Sequence, residues 1–215
     1  DMEGSRGLGD VYKRQVFLIL LILVSQFNAF SSPVIILSSV VLSLAGVFLG
    51  IVISRNDFVI IMTMIGIISL AGIVVNNAIV LVDYTNLIRK RKRKELGLGT
   101  LDLISNEDFK NAVIEGGRTR LRPVLLTAIT TILGLFPLAS GLNINFFSLV
   151  SDWDPQIFFG GDNVIFFKPM SLAIIYGLTF ATFLTLVVVP IMYYTIYRFK
   201  IWLFNKFNWA VKIEL

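Results

Sequence analysis

The chain has no cysteine and no histidine. Without thiols it carries no disulfide framework and no thiolate chemistry, and without imidazole it has no side chain whose ordinary pKa lies near neutrality and no histidine ligand for zinc. Charge is scarce as well: only 15% of the 215 residues are charged, and they are bunched between long apolar runs. What fills the gap is hydrocarbon, with 56% hydrophobic residues and a mean hydropathy of +0.81. A soluble domain would not concentrate apolar residues in this way, so the composition is that of a membrane protein. No enzyme activity, catalytic constellation, cofactor site or metal site is expected from it.

Residues 1–15 differ from the rest, with three acidic and three basic residues before an abrupt switch to the apolar run that starts at Val16. Asp10-Val-Tyr-Lys-Arg-Gln15 is also what a transposon-end adapter used in DNA library preparation encodes in one reading frame. We therefore read 1–15 as a non-native leader and set it aside. A signal peptide fits badly, because acidic residues occupy its basic region and no small-residue cleavage site follows. The apolar run from Val16 to about Phe30 is shorter than the ~20 residues needed to cross a bilayer. The native sequence is expected to begin within a helix.

Four full spans follow by apolar length, at Pro33–Ile53, Phe58–Val82, Pro123–Leu142 and Met170–Tyr197. The fold class is thus an all-α polytopic membrane helix bundle, occupying 16–199, with a basic tail at 200–215. Ser31 and Ser32 are placed to cap the first full span, with Pro33 in its opening turn, and Pro123 is expected to open the third in the same way. Pro137 and Pro190 lie inside spans, where each should bend its helix and free a carbonyl.

Orientation follows from lysine and arginine. Six lie in Arg89–Lys94, four more are Lys110, Arg118, Arg120 and Arg122, and the tail adds Arg198, Lys200, Lys206 and Lys212, whereas the other side has only Arg55 and Lys168. The positive-inside rule makes the basic connection and the C-terminal tail cytoplasmic. The loop from about Asn143 to Pro169 then faces outward. Its Asp152, Asp154 and Asp162 among several phenylalanines suit an interfacial hairpin, with a turn at Gly160-Gly161-Asp162-Asn163. The basic pI of 9.6 needs no nucleic acid, since no interleaved aromatic and basic pattern for stacking bases is present.

The most informative segment is GIVVNNAIVLVDY, Gly72–Tyr84, which sets two amides, Asn76 and Asn77, in mid-span. Polar side chains at that depth serve a transport path or join helices, and membrane hydrogen bonds of this kind are worth ~0.6 to 2 kcal/mol. Both readings stay open on physical grounds. An amide donates and accepts without titrating, so it can support a proton-binding carboxylate but cannot replace one.

Three segments in order, GIVVNNAIVLVDYTN, EGGRTRLRPVLLTAITTILGLFPL (Glu115–Leu138) and GLTFATFLTLVVVPIMYY (Gly177–Tyr194), resemble the last membrane helices of the resistance-nodulation-division efflux permeases. The resemblance covers nearly everything from Val16 to about Phe199. It implies a bacterial inner-membrane proton antiporter of twelve helices in two similar halves, working as a homotrimer with a periplasmic adaptor and an outer-membrane channel. The present helices would be the eighth, cut short, through the twelfth, and the N-terminal half of the same permease would be the missing partner. By the family's internal repeat, Asn76 and Asn77 stand where the fourth helix carries its proton-binding aspartates. In the best-known drug pumps the first of these positions is a lysine, so Asn76 removes a cation from the relay. Arg120 and Thr127 match an arginine and a threonine associated with the proton path. Arg120 is also one of an anchoring cluster with Arg118 and Arg122, Thr127 is placed to bond a backbone carbonyl, and Asp83 reads as a solvated helix end.

The resulting expectation is the C-terminal membrane part of a proton-driven transporter of hydrophobic or amphiphilic compounds, inactive alone. Metal export is the less favoured substrate class, because the spans lack the carboxylate and methionine arrangement of that branch. The alternatives are a lipid-exporting or secretion-motor member of the same superfamily and a non-transporting membrane scaffold whose amides hold helices together.

Overall fold

The computed structural model describes residues 2–27, 31–97, 104–144, 150, 153 and 157–207. Five long helices account for nearly all of them: α1 (Met2–Phe27), α2 (Ser31–Ser54), α3 (Ile60–Glu95), α4 (Asn106–Ser140) and α5 (Asp162–Phe207). Backbone N–H and C=O groups in a bilayer find no water, and a helix satisfies them within the segment. Four of the helices, all but α1, are long and apolar enough to cross a membrane.

The helices run alternately up and down. At one end the α2–α3 connection meets the start of α5, where Asn56 Nδ2 donates to Tyr176 Oη at 3.2 Å. At the other end the start of α4 packs on the last turns of α3 and α5, with Phe109 stacked on Tyr197 at 3.7 Å between ring centroids. Most of the basic residues gather at this second end. Between Ser140 and Asp162 the chain forms a small antiparallel pair, β1 (Leu142–Ile144) and β2 (Ile157–Phe159), with Asn143 opposite Phe158. This is the hairpin expected from the sequence. Its Asp152, Asp154, Phe146 and Phe147 lie outside the described residues, whereas Phe159 and Trp153 stand exposed. The Gly160-Gly161 turn, both residues at positive φ, leads from β2 into α5 rather than forming the hairpin tip.

Three helices outrun their predicted spans. At 1.5 Å per residue, the 36 residues of α3 extend to about 54 Å, well past a hydrocarbon core of ~30 Å. The basic run 89–94, expected as a connection, is instead the last turns of α3. Lysine and arginine are good helix formers, and cations at a helix C-terminus interact favourably with its dipole. Likewise α4 starts at Asn106, where Ser105 Oγ accepts from Glu107 N at 3.3 Å and Glu107 and Asp108 occupy the positive first turn. Pro123 therefore lies inside α4 rather than opening it. The extension is held by Phe109, Ala112, Val113 and Gly116, a buried face at helical spacing. The cap proposed for α2 is not formed by Ser32, whose Oγ is buried without a hydrogen-bond partner. Pro137 and Pro190 lie within helices as expected.

Residues 2–15 continue α1 without a break, and Gln15 Nε2 donates to the Ile68 carbonyl at 3.0 Å.

The bundle is centred on α5, which packs on α2, α3 and α4. Gly46 and Gly50 of α2 take up Phe180 and Tyr176 of α5, so that a Cβ at Gly46 would stand 2.5 Å from Phe180 Cβ and one at Gly50 would collide with Tyr176. A Cβ at Gly66 of α3 would lie 2.8 Å from the Met170 carbonyl oxygen, and one at Gly177 would strike Leu70. Small residues at i and i+4 let membrane helices approach closely, where dispersion rather than water release drives association.

This packing makes a prediction. Gly50→Val should destabilise the bundle by ~1 to 3 kcal/mol, the usual range for overpacking. Gly117→Ala, at a position where a Cβ meets nothing within 4 Å, should leave stability unchanged or slightly raised. Unfolding in a detergent titration followed by circular dichroism measures both; equal stabilities would contradict the close contact.

Candidate functional site

The amide pair belongs to α3, whose surface divides sharply. Gly66, Ile67, Leu70, Ala71, Val74, Val75, Ala78, Leu81 and Val82 form the buried face. Ile61, Ile65, Ser69, Gly72, Asn76, Asp83, Leu87 and Lys90 are exposed, and their spacing in threes, fours and sevens places them in one stripe along the helix. Asn76 is exposed and Asn77 half-buried. Neither side chain makes a hydrogen bond to another described residue, so no hydrogen bond of the pair links the described helices.

The neighbouring helix shows a similar uncovered surface. Within its membrane window α4 is 17% buried, against 50% for α3, which means that α4 is covered on one narrow side only. Thr127 lies on this exposed surface, and its Oγ1 donates to the Val124 carbonyl at 2.9 Å. Thr130 and Thr131 both donate to the Thr127 carbonyl, at 3.0 and 2.8 Å. Each threonine thus satisfies its hydroxyl within the helix, the local arrangement expected from sequence.

Arg120 is positioned differently from a freely solvated anchor. Its guanidinium carbon lies 4.2 Å from the centroid of the Tyr84 ring, joining α4 to the end of the GIVVNNAIVLVDY segment through a cation–π contact. Its Nε is buried without a hydrogen-bond partner. Directly below, Gly116 of α4 faces Thr85 of α3, whose Oγ1 would be 2.9 Å from a Cβ at that glycine. The structure therefore brings Arg120 to Tyr84. It does not join Arg120 to Asn76, Asn77 or Thr127 by any hydrogen bond among the described residues.

A second polar cluster, at the basic end, was not anticipated. Tyr193 Oη donates to Asn86 Oδ1, and Tyr197 Oη donates to the Ile104 carbonyl at 3.0 Å. Phe109 is stacked on Tyr197 and lies 5.6 Å from the Tyr193 ring in near-parallel orientation. Arg89 is buried beside them, 5% exposed. Asn86 and Arg89 are one turn apart on α3, and Tyr193 and Tyr197 one turn apart on α5, so each pair projects from one face. That spacing was the available signal, masked by the run of positive charge that begins at Arg89.

This cluster ties α5 to α3 and to the connection before α4 by oriented polar bonds, and it predicts an asymmetry between adjacent tyrosines. Tyr193→Phe leaves the buried Asn86 acceptor without its donor and should cost about 1 kcal/mol, within the range of membrane hydrogen bonds. Tyr194→Phe, whose hydroxyl has no such bond, should be neutral. The same detergent titration separates them, and equal effects would show that the Tyr193 hydroxyl contributes nothing.

Comparison with known proteins was consistent with this architecture. The sequence profile described as the AcrB/AcrD/AcrF family matches residues 7–143. The swarming motility protein SwrC of Bacillus subtilis is 36% identical over 193 residues, covering 90% of this chain and 15% of that protein. Protein HelA of Legionella pneumophila is 32% identical over 60% of this chain and 9% of its own length. The multidrug resistance protein MdtC of Erwinia tasmaniensis is 26% identical over 83% of this chain and 14% of its own length. Among solved structures, a heavy metal efflux pump superposes with a TM-score of 0.59 at 25% identity, covering 84% of this chain and 14% of the pump. The chain thus spans about a seventh of the length of several of its relatives.

Proposed function

Because the chain belongs to the AcrB/AcrD/AcrF family of resistance-nodulation-division efflux permeases, we propose that it forms the C-terminal membrane part of a proton-driven transporter of hydrophobic or amphiphilic compounds. The observation that carries this reading is the uncovered stripe of α3, with Ser69, Gly72, Asn76 and Asp83. Left against lipid, an amide in mid-span is costly. Covered by the other half of a permease, Asn76 faces the place where its proton-binding carboxylates would lie. A scaffold whose amides hold these helices together is disfavoured, since neither Asn76 nor Asn77 hydrogen-bonds to another described residue.

The work of this part is conformational rather than chemical. Asn76 and Asn77 offer donors to a carboxylate across the interface and keep their own charge at zero. Arg120, held on Tyr84, supplies positive potential about two turns of α3 beyond the amides, and the back-bonded threonines of α4 leave none of their hydroxyls free on the surface against which the other half can shift. The structural neighbour at 25% identity is a heavy metal efflux pump. Amphiphilic cargo nevertheless remains the reading, since the spans do not carry the carboxylate and methionine arrangement of the metal-exporting branch. The setting we propose is the bacterial inner membrane, with the basic end and C-terminus cytoplasmic, in a homotrimer joined by a periplasmic adaptor and an outer-membrane channel.

Two experiments test this reading. In the intact permease, Asn76→Leu should abolish proton-coupled export at normal protein levels, because a buried carboxylate deprived of a hydrogen bond loses ~1 to 3 kcal/mol. Asn76→Lys adds a cation, which lowers the proton affinity of a nearby carboxylate, so export should shift toward more acidic pH. Unchanged profiles for both variants would reduce Asn76 to a packing residue. For topology, a cysteine at Asp162 should react with an impermeant thiol reagent outside intact cells and a cysteine at Lys94 should not; the reverse pattern would invert the orientation.

A further inference from the structure

A cavity of about 360 Å³ opens at the hairpin end of the bundle, lined by Asn56, Asp57, Val59, Thr63, Lys168 and several apolar side chains of α2 and α5. Four features of it bear on a ligand. Helix α3 begins at the wall of the cavity with its N-cap residue, Val59, which lines it and provides no side-chain cap; an uncapped helix N-terminus attracts an anion. Thr63, only 1% exposed, lines the cavity, yet its hydroxyl makes no hydrogen bond among the described residues. Ser39, Ser43, Thr85, Ser171 and Thr182 return theirs to a carbonyl of the preceding turn, so the Thr63 hydroxyl is left free to meet whatever enters the cavity. Lys168 adds a full positive charge, and Asp57 adds a negative one, without an ion pair between the two. The remaining wall is hydrocarbon, from Ile51, Val164, Ile165 and Leu172.

We infer that this cavity is a binding site for a zwitterionic phospholipid headgroup of the phosphoethanolamine type. The phosphate is received by the N-terminus of α3, the Thr63 hydroxyl and Lys168. The ammonium is received by Asp57, and the upper acyl carbons lie on Ile165 and Leu172. A simple anion does not suit the site as well, because Asp57 would repel it; a simple cation would meet Lys168 and the positive helix end. Only a ligand with both charges, separated by a few bonds and attached to hydrocarbon, matches every group in the wall. Asn56 is held in place by its bonds to Ser54 Oγ and Tyr176 Oη, at 2.9 and 3.2 Å. The α2–α3 connection therefore presents Asp57 from a fixed position. The inference depends on the chain spanning a membrane and not on the proton relay, so it can fail while the transport reading stands.

The test uses the intact permease, delipidated in detergent and titrated separately with phosphatidylethanolamine, phosphatidylglycerol and water-soluble phosphoethanolamine, with bound molecules counted by native mass spectrometry. Wild-type protein should retain one more phosphatidylethanolamine than Lys168→Gln, whose affinity should fall roughly tenfold. Thr63→Val should weaken binding several-fold without changing assembly. Asp57→Asn should reverse the preference in favour of phosphatidylglycerol, because it removes the partner of the ammonium and the repulsion of an anion together. Equal binding of both lipids by wild type, or no effect of the three substitutions, would overturn the site. Displacement of the lipid by soluble phosphoethanolamine at comparable concentration would overturn the lipid assignment in favour of a free headgroup. Asp57 and Lys168 are both exposed, so their substitution leaves the packed bundle intact.

Discussion

The close approach of α5 to α2 and α3 is the contact on which the rest of the bundle depends. In hydrocarbon there is no water to expel, so helices are held by dispersion and by the few polar bonds they can form. Dispersion falls steeply with distance, and the glycines at 46, 50, 66 and 177 allow aromatic and aliphatic side chains to lie against bare backbone. Once α5 is seated between α2 and α3 by these contacts, α4 has one place left, along the remaining side of α3 and α5. Its amphipathic first half closes the basic end through Phe109.

The same arrangement decides which polar groups are structural and which are available for work. Asn86 is engaged by Tyr193, and the hydroxyls of Thr85 and Thr182 are returned to their own helices. Asn76, on the uncovered face of α3, hydrogen-bonds to no other described residue and stands in a stripe with Ser69, Gly72 and Asp83. A membrane helix can carry such a stripe only against protein or water. One side of this bundle thus serves its own cohesion, and the other leaves its polar groups uncovered by the described residues.

The basic end shows how charge can serve two purposes. Lysines and arginines there mark the boundary of the hydrocarbon, and they also complete the last turns of α3, where the helix dipole welcomes them. Arg89 is drawn inward against the tyrosines of α5, and Arg120 is laid over Tyr84. Neither is a simple surface charge, although both read as members of basic clusters.

Much of the fold was legible in the primary structure because a bilayer imposes a length and a polarity that show directly in hydropathy. The four crossings, the hairpin after the third of them and the interior prolines follow from those constraints. The amide pair in GIVVNNAIVLVDY was legible as well, since two asparagines in mid-span are rare. Helix ends were not. Hydropathy marks where hydrocarbon stops, while a helix continues as long as its residues favour it and find something to pack on; so α3 runs on through the basic run and α4 begins well before Pro123. Nor could one-dimensional pattern separate Asn76 from Asn86, two amides ten positions apart on one helix. Residue chemistry determined that both would be polar spots in an apolar helix. Only packing decided that Asn86 meets a tyrosine and Asn76 faces out, because the direction a side chain takes is fixed by which neighbours its helix can approach closely.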